Sequence, residues 1–398
     1  MKKLKCEILI IGGGLIGLVT AYSLALLGFK IIIVEKKVNL KNKKSQQSFI
    51  NDTRTTAISE GSKYYLEKVG LWKTISPLAQ QIKFINVFDR NLNSKINFYN
   101  HSMNQNLGYI IKNKLIIEKF LSKFKHFKNI QYFTGLNLKQ IIYKDDSIVG
   151  MFKNISIDAK LIIAADGKKS TVRDISNTKL FYKEYNEKAL VVNFSHEKNH
   201  NKTAYEIFLK SGPLALLPMQ NSFKGNYCSS MIWSHNKNFI DNLILSSDKS
   251  FVSILEEKLF NITGSIKKIH TKQSFSLSSH INSKFYSKKI IFIGDAAHSI
   301  HPIAGQGWNL GLRDVKNLFA ISKEYSELGL EVGGLNFCKK YHNDCFYDAY
   351  RMYNITDKLN YLFMVDNKIF NSLRGIGFEF IEKNRFLKKN ISNFAMGL

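Results

Sequence analysis

The sequence contains few prolines and few cysteines. Only 4 of its 398 residues are proline, and no stretch rich in Pro, Gly or Ser separates one segment from another, so domains joined by a linker are not expected. Its four cysteines, Cys6, Cys228, Cys338 and Cys345, show no CxxC spacing. This pattern argues against a disulfide framework and a zinc site, and it indicates a reducing compartment.

Acidic residues are also scarce. The chain has 31 Asp and Glu against 58 Lys and Arg, which gives a net charge of +27. Compositional bias is the preferred explanation, because Lys, Asn and Ile are all abundant. Attraction to an anionic membrane surface is the second explanation for the charge. Binding to nucleic acid is the least favoured, because the basic residues are spread along the chain rather than clustered. No nucleic-acid partner is therefore expected.

The chain has no long uninterrupted apolar segment. Its beginning, MKKLKCEILIIGGGLIGLVTAYSLALLGF, could be mistaken for a signal peptide or a membrane helix. Three consecutive glycines and the charged continuation IIIVEKK argue against both. Because 44% of the residues are hydrophobic, with 29 Phe and 18 Tyr, the chain can bury a large core. We expect a cytoplasmic protein of two or three domains without a transmembrane span.

The N-terminal region has the pattern of a nucleotide-binding unit. Residues 7–11 form an apolar run of strand length, and residues 15–27 have helical periodicity that ends at Gly28. Residues 30–34 then predict a second strand, which ends at Glu35. The order strand, glycine-rich turn, helix, strand and acidic residue is that of a dinucleotide-binding fold.

Each glycine of the GxGxxG turn has a mechanical role. Gly12 permits the turn, Gly14 lets the backbone approach a pyrophosphate, and Gly17 lets the helix pack against the strand. The helix N-terminus supplies N–H groups for phosphates, and Glu35 can accept hydrogen bonds from ribose hydroxyls. The acidic residue favours NAD or FAD over NADP without choosing between the first two.

Two further motifs follow predicted buried strands. They are LIIAADGKKSTVR at 161–173 and GDAAHSIHPIAGQGWNLGLRD at 294–314. Together with the GxGxxG, they resemble in order and spacing the three fingerprints of the flavoprotein aromatic hydroxylases (group A monooxygenases). The second motif, with DTRTTAIS at 52–59, LGYIIKNKLI at 107–116 and the C-terminal tail, is similar to the ubiquinone-biosynthesis hydroxylases. Trp308 and Lys112 depart from that pattern.

The resemblance implies FAD as the cofactor and NAD(P)H as the electron donor. Asp295, after Gly294, would hydrogen-bond the ribityl chain, and Pro302 would lie against the flavin ring. Backbone N–H groups of Gly305, Gln306 and Gly307 would face the N1–C2=O edge, where reduced flavin carries negative charge. The further residues implied are Asn309 in that turn, Arg54 over the flavin and pyrophosphate, Asn113 beside the ribityl or phosphate, and Asp166 with Arg173 at the pyrophosphate. A structural ion pair with Asp174 or a helix-end contact is the alternative for Arg173.

His298 and His301 allow more than one interpretation. No Cys, His or Glu set near them completes a metal site, so no metal is expected. A general base is conceivable, because imidazole titrates near neutral pH. The preferred interpretation is that each histidine hydrogen-bonds within the loop and holds its shape. No catalytic base is identified from the sequence.

The predicted fold class is α/β. A Rossmann-like FAD-binding domain of the aromatic hydroxylase type, made of 1–75, 100–175 and 288–325, is interleaved with an antiparallel-sheet substrate domain, made of 76–99 and 176–287. Short apolar runs such as ALVVNF and PLALLPM predict the strands of that sheet. Residues 326–398 form a C-terminal helical region. Within it, residues 355–398 are predicted either to form a basic amphipathic helix on an anionic lipid surface or to pack on the sheet with a solvated charged face.

The resemblance implies an FAD-dependent monooxygenase that hydroxylates the ring of a polyprenylated phenol in ubiquinone biosynthesis, through a flavin C4a-hydroperoxide. The expected partners are that phenol and O2, with proteins of a ubiquinone-biosynthesis complex and a peripheral membrane contact as further candidates. Two alternatives remain: an FAD-dependent reductase or dehydrogenase, and a flavin-binding scaffold of low activity in a quinone-biosynthesis complex. The sequence does not specify the ring carbon or the tail length.

Overall fold

The computed structural model describes residues 1–37, 52–89, 92, 94–99, 106–220, 226–365 and 367–397. Each of the predicted segments 1–75, 76–99, 100–175, 176–287 and 326–398 includes some residues outside these ranges. The strands in the described residues are β1 (Lys2–Lys5), β2 (Ile8–Ile11), β3 (Ile31–Glu35), β4 (Thr55–Ser59), β5 (Gln80–Ile82), β6 (Phe84–Asp89), β7 (Ser94–Tyr99), β8 (Gly108–Lys112), β9 (Ile130–Thr134), β10 (Gln140–Tyr143), β11 (Ile148–Met151), β12 (Ile155–Ala159), β13 (Leu161–Ala164), β14 (Leu180–His196), β15 (Thr203–Leu209), β16 (Gly212–Met219), β17 (Tyr227–Asn236), β18 (Ile266–Asn282), β19 (Tyr286–Ser287), β20 (Ile290–Phe292) and β21 (His298–Ser299).

Helices cover the sheets and form most of the chain after residue 307. Those in the described residues are α1 (Leu15–Leu26), α2 (Glu60–Lys68), α3 (Trp72–Ile75), α4 (Asn113–Phe124), α5 (Thr171–Ile175), α6 (Lys237–Leu245), α7 (Asp248–Thr263), α8 (Gly307–Glu327), α9 (Leu335–Met364), α10 (Lys368–Lys383) and α11 (Arg385–Met396). Short 3-10 turns lie at Ser76–Leu78, Gly294–Ala296 and Ile303–Gly305.

A six-stranded sheet is built from the apolar runs seen in the sequence. Its order is β19-β20-β13-β2-β3-β9, and neighbouring strands run parallel except β19 and β20, which are antiparallel. Ile8 lies opposite both Leu161 and Ile31, while Ile162 lies opposite Ile290. Strands β2, β13 and β20 are buried along their whole length, as expected of a parallel sheet with both faces covered.

Two helices pack closely beside this sheet. A Cβ placed on Gly311 of α8 would lie 2.7 Å from Cδ1 of Ile16 in α1. A larger residue at this position would force the Ile16 side chain to move, so the glycine favours this close approach of the two helices. The contact fixes the start of α8 next to the GxGxxG turn, which is what a shared cofactor site requires.

An eight-stranded sheet forms the second layer. Its order is β21-β18-β14-β17-β16-β15-β6-β7, with antiparallel pairing except between β6 and β15. Helices α6 and α7 cover one face and bury a cluster that includes Trp233 and Phe251. The chain enters this sheet at Phe84, leaves it, and returns at Leu180, so the two large sheets alternate along the sequence.

The remaining strands form two smaller sheets. The order β1-β12-β11-β10 forms a four-stranded sheet, and β4-β8-β5 forms a three-stranded one. Strand β5 falls inside the predicted segment 76–99, but it pairs with β8 rather than with the eight-stranded sheet. The four cysteines are buried free thiols. Among the described residues, no helix is long and apolar enough to cross a membrane.

Candidate functional site

The carboxyl ends of four parallel strands meet at one edge of the six-stranded sheet. Gly12 follows β2, Glu35 ends β3, Asp166 lies just beyond β13, and Gly294 with Asp295 follows β20. Ligands of open parallel α/β sheets bind at this edge. Motifs that lie far apart in the sequence are therefore brought together by the strand order alone.

A cleft of about 840 Å³ opens at this edge. Its volume lies within the range of small-molecule and cofactor sites. Ten of the residues predicted to bind the cofactor line it: Gly12, Gly14, Glu35, Arg54, Asn113, Asp166, Asp295, Pro302, Gly305 and Gly307. The other four, Gly17, Gly294, Gln306 and Asn309, are not among the residues that line it.

The three glycines of the GxGxxG turn have different surroundings. Gly12 has φ +111°, and a Cβ there would lie 2.2 Å from the carbonyl oxygen of Ala165. A Cβ on Gly17 would lie 2.0 Å from the carbonyl oxygen of Gly12. A Cβ on Gly14 would meet no atom within 4 Å. Packing thus requires Gly12 and Gly17, whereas Gly14 leaves open space in the cleft.

Two helix N-termini open toward the same cleft. Helix α1 begins after Gly14 and α8 begins after Gln306; neither has a side-chain cap or an acidic residue in its first turn. Neither N-cap side chain occupies the first N–H groups of its helix, and the positive end of each helix dipole favours an anion. A Cβ on Gly307 would also meet no atom within 4 Å. This glycine cradle with two uncapped helix starts fits FAD, which carries a pyrophosphate and a ring that becomes anionic on reduction.

Glu35 is held by the backbone around it. Its Oε2 accepts a hydrogen bond from the N–H of Gly13 at 2.7 Å, and its Oε1 accepts one from the N–H of Lys37 at 3.0 Å. A carboxylate has about four acceptor sites. Glu35 can therefore brace the glycine turn and still accept a hydrogen bond from a ribose hydroxyl in the cleft.

Arg54 and Asn113 meet at Asp52, the first residue of the motif DTRTTAIS, to which the sequence analysis assigned no role. Nε and Nη2 of Arg54 each donate to Asp52 at 2.8 Å, and Nδ2 of Asn113 donates to Oδ2 of Asp52 at 3.3 Å. Burial alone raises the pKa of the Asp52 carboxyl, but Arg54 and Asn113 bring it below its ordinary value. The Arg54 guanidinium also lies over the Phe275 ring, 5.4 Å from its centroid.

Asp295 lines the cleft beneath these groups. The surrounding protein raises the pKa of its carboxyl, while positive charges on His298, Arg54 and Lys168 oppose that rise. A carboxylate at the end of a strand, bordered by three cations, is suited to accept hydrogen bonds from a polyhydroxy chain.

Asn309 supports the cleft from behind. Its Oδ1 accepts hydrogen bonds from the N–H of Ser59 at 3.0 Å and from Oγ of Ser62 at 2.8 Å. Its Nδ2 donates to the carbonyl oxygen of Ala57 at 3.0 Å. The residue therefore joins the first turn of α8 to β4 and α2, and its contacts are structural.

The two histidines of the second motif differ. His298 forms a fully buried ion pair with Asp314, with Nε2 and Oδ2 2.6 Å apart, and the same Oδ2 accepts the N–H of Gly294 at 3.0 Å. Nε2 of His301 lies 3.6 Å from Oε2 of Glu187. Neither histidine lines the cleft, and the described residues contain no group of three or more side chains that could hold a metal ion.

Arg173 joins two of the motifs rather than facing the cleft. Its Nη2 donates to the carbonyl oxygen of Lys168 at 2.7 Å, and its Nη1 donates to that of Ala296 at 3.3 Å. Nη1 also lies 3.1 Å from Nε2 of His280. These hydrogen bonds of its guanidinium therefore hold the turn after β13 against the turn after β20.

The contact between Arg173 and His280 predicts acid sensitivity. Burial, together with the charge of Arg173, lowers the pKa of His280 to about 3. Below about pH 6.5 the unfolded chain binds this proton, whereas the folded protein does not. The contribution of neutral His280 to the free energy of unfolding is therefore fully present above about pH 6.5 and is lost as the pH falls toward 3. We expect the free energy of unfolding to decrease by about 2 kcal/mol more between pH 6.5 and 5 in the wild type than in His280→Gln.

Urea unfolding at pH 7, 6 and 5 measures this difference. His126→Gln, which replaces an exposed histidine, is the control and is expected to keep the wild-type pH dependence. An unchanged pH dependence in His280→Gln would show that His280 does not contribute to it.

The sequence analysis assigned the substrate side of the site to the antiparallel sheet, but it did not identify which side chains of that sheet line the cleft. Leu217, Ile232, Gln273 and Phe275 of the eight-stranded sheet line the cleft, and so does Lys169 beside Asp166. Lys169 lies within the motif at 161–173, and Leu217 lies within the apolar run PLALLPM. Leu217, Ile232, Gln273 and Phe275 lie on strands whose alternating pattern gives no sign of which face meets the cofactor.

Comparisons with known proteins identify the family of the chain. Residues 5–325 match the family model described as FAD binding domain. The ubiquinone hydroxylase UbiL of Rhodospirillum rubrum is 27% identical, and the alignment covers 98% of this chain and 89% of that protein. The mitochondrial ubiquinone biosynthesis monooxygenase COQ6 of Dictyostelium discoideum is 26% identical, with 98% and 91% covered.

A solved structure has the same fold. The crystal structure of p-nitrophenol 4-monooxygenase PnpA from Pseudomonas putida superposes with a TM-score of 0.79 at 16% identity, over 98% of this chain and 97% of that one. The predicted fold class and the predicted cofactor, FAD, are confirmed. The predicted resemblance to the ubiquinone-biosynthesis hydroxylases is confirmed as well, and the protein belongs to the family of FAD-binding-domain proteins.

Proposed function

We propose that this FAD-dependent monooxygenase hydroxylates the aromatic ring of a polyprenylated phenol in ubiquinone biosynthesis, with NAD(P)H as the electron donor. One observation carries the proposal: a single cleft is lined both by residues of the FAD motifs and by apolar side chains of the eight-stranded sheet. A ring held against these side chains would lie next to the part of the cleft predicted to hold the flavin. The relatives named for ubiquinone hydroxylation support the same reaction.

The apolar wall suits a prenylated ring. Leu217, Ile232 and Phe275 come from three different strands of one sheet, and Trp308 lies across from them at the start of α8. Small-molecule sites of this kind bind mainly by apolar burial, with a few polar groups to orient the ligand. Gln273 is the carboxamide on this wall, and its Oε1 accepts a hydrogen bond from Oγ1 of Thr53 at 2.9 Å.

Bound FAD supplies the electrons and the activation of O2, and the chain supplies binding, orientation and exclusion of water. Asp295 would hold the ribityl chain, the first turn of α1 the pyrophosphate, and Glu35 the adenosine ribose. The first turn of α8 would stabilise negative charge on the reduced ring with N–H groups that need no rearrangement. Passage through a C4a-hydroperoxide is part of this proposal.

Oxygen uptake coupled to product formation tests the proposed reaction. The purified yellow protein, given NAD(P)H and a prenylated phenol, is expected to consume O2 and to yield a product 16 Da heavier (one oxygen atom, ~16 Da) by mass spectrometry. Electron transfer without oxygen incorporation would indicate the reductase or dehydrogenase alternative. Bound FAD with neither reaction would indicate the scaffold.

The same proposal includes where the enzyme works. A phenol with a long isoprenoid tail partitions into the bilayer, so a hydroxylase acting on it must reach the membrane surface. Contact with other proteins of a ubiquinone-biosynthesis complex is proposed alongside peripheral membrane contact. Deletion of the gene, with mass spectrometry of the quinone intermediates that accumulate, would identify the ring position directly.

A further inference from the structure

Helix α10 turns apolar side chains toward solvent. Four of them recur at positions i, i+4, i+7 and i+11, which places them on one face of the helix. These four residues, called the α10 stripe below, and their exposed fractions are Ile369 (68%), Leu373 (58%), Ile376 (66%) and Phe380 (60%). Monomeric proteins rarely expose a contiguous apolar strip of this kind without an interaction partner.

The opposite face of α10 fixes this orientation. Arg374 is buried, and its Nε donates to Oδ2 of the fully buried Asp89 at 3.0 Å. Its Nη1 donates to the carbonyl oxygens of Leu362 at 2.8 Å and Val365 at 2.9 Å. Rotating α10 to bury the stripe would break this buried ion pair, which is strongly unfavourable. The exposure of the stripe is therefore built into the fold.

Positive charge surrounds the stripe. Residues 367–397 contain six basic and two acidic residues. Both acidic residues are paired, Glu379 with Lys383 and Glu382 with Lys388. Lys368, Arg385 and Lys389 are exposed at the two ends of the stripe. An apolar face flanked by Lys and Arg is the arrangement of helices that lie in a lipid interface.

We propose that the α10 stripe docks the protein on an anionic phospholipid surface, with α10 lying in the plane of the interface. The inference rests on the proposed function, because a polyprenylated substrate resides in a bilayer. Charge favours lipid over a second copy of the chain, since two molecules of net charge +27 repel each other and anionic lipid attracts both. The net positive charge that the chemistry leaves unexplained then contributes to binding.

Vesicle flotation with the FAD-loaded protein tests the docking. We expect binding to phosphatidylcholine vesicles that contain about 30% phosphatidylglycerol and little binding to phosphatidylcholine alone. Replacing all four stripe residues by serine should lower the partition coefficient about 100-fold, and the double replacement I376S/F380S about tenfold. The matched control carries four serines at other exposed leucines, Leu245, Leu328, Leu330 and Leu335, and should bind like the wild type.

Two results would overturn the proposal. One is a stripe variant, quadruple or double, that keeps wild-type binding while retaining FAD and its thermal unfolding midpoint. The other is a wild-type protein that does not bind anionic vesicles. If light scattering then shows a dimer that the stripe substitutions dissociate, the stripe is an interface between two copies of the chain. Hydroxylation of a phenol with a short prenyl tail, without vesicles, should be equal in all variants. If neither the wild type nor any variant hydroxylates this phenol, the proposed reaction is contradicted. The docking proposal is then decided by the vesicle binding alone.

Discussion

Replacing Gly14 with alanine is expected to abolish high-affinity FAD binding while leaving the fold intact. Gly14 has φ −74°, which alanine adopts freely, and its added Cβ would meet no protein atom within 4 Å. The methyl group would instead occupy the space where the pyrophosphate approaches the first turn of α1. We expect the FAD dissociation constant to rise about 100-fold, which is ~2.7 kcal/mol.

Fluorescence titration of apoprotein with FAD measures this change, and thermal unfolding of the apoprotein checks the fold. Gly377→Ala is the control, because a Cβ there also meets no atom within 4 Å and lies on α10, away from the cleft. Gly12→Ala would be less informative, since its Cβ would collide with Ala165 and damage the fold itself. Unchanged FAD affinity in Gly14→Ala would contradict the placement of the pyrophosphate at this turn.

Removing Asp314 is expected to have the largest effect on stability. Its carboxylate pairs with the buried His298 and accepts the N–H of Gly294, so alanine would leave a buried imidazole and a buried N–H without this partner. Breaking a buried ion pair by removing one partner costs about 3–5 kcal/mol. We also expect FAD affinity to fall, because Gly294 and Asp295 would lose the contact that fixes their turn.

A double-mutant cycle measures the interaction energy between His298 and Asp314 separately from the effect of removing each side chain. His298→Ala alone leaves the buried Asp314 carboxylate without its cation, whereas the double variant H298A/D314A removes both charges of the pair. We therefore expect the double variant to be destabilised by less than the sum of the single variants, by about 1–3 kcal/mol. Urea unfolding of the apoproteins gives the three values, and strict additivity would show that the two groups do not interact.

Motifs whose structure depends on residues close together in the sequence could be predicted. The GxGxxG turn, the strand before it and Glu35 are specified by about thirty contiguous residues, and the structure places them as expected. The positions of Asp166 and Asp295 at strand ends could also be predicted, because each follows a short apolar run. The parallel sheet then brings these separate ends together.

Contacts that depend on long-range packing could not be predicted. The pairing of His298 with Asp314 depends on how α8 folds back over the turn after β20, and no spacing rule identifies it. The wall residues Leu217 and Ile232 look like any other alternating strand residues until the face of the sheet is known. The amphipathic nature of the C-terminal helices was visible in the sequence, but Arg374 and Asp89, 285 positions apart, decide which face is exposed.

The register of the six-stranded sheet also sets the order in which the chain can assemble. Strand β2 can pair with β3 as soon as residue 35 is made, but its other neighbour, β13, begins at residue 161, and β20 begins at residue 290. At a synthesis rate of about 5–20 residues per second, the edge of β2 waits roughly 8–30 s for β13, and the edge of β13 waits a further 6–26 s for β20. During that time, buried strands of isoleucine and leucine are open to the wrong partners. The cofactor pocket, which needs the ends of all four strands, can form only when most of the polypeptide has emerged.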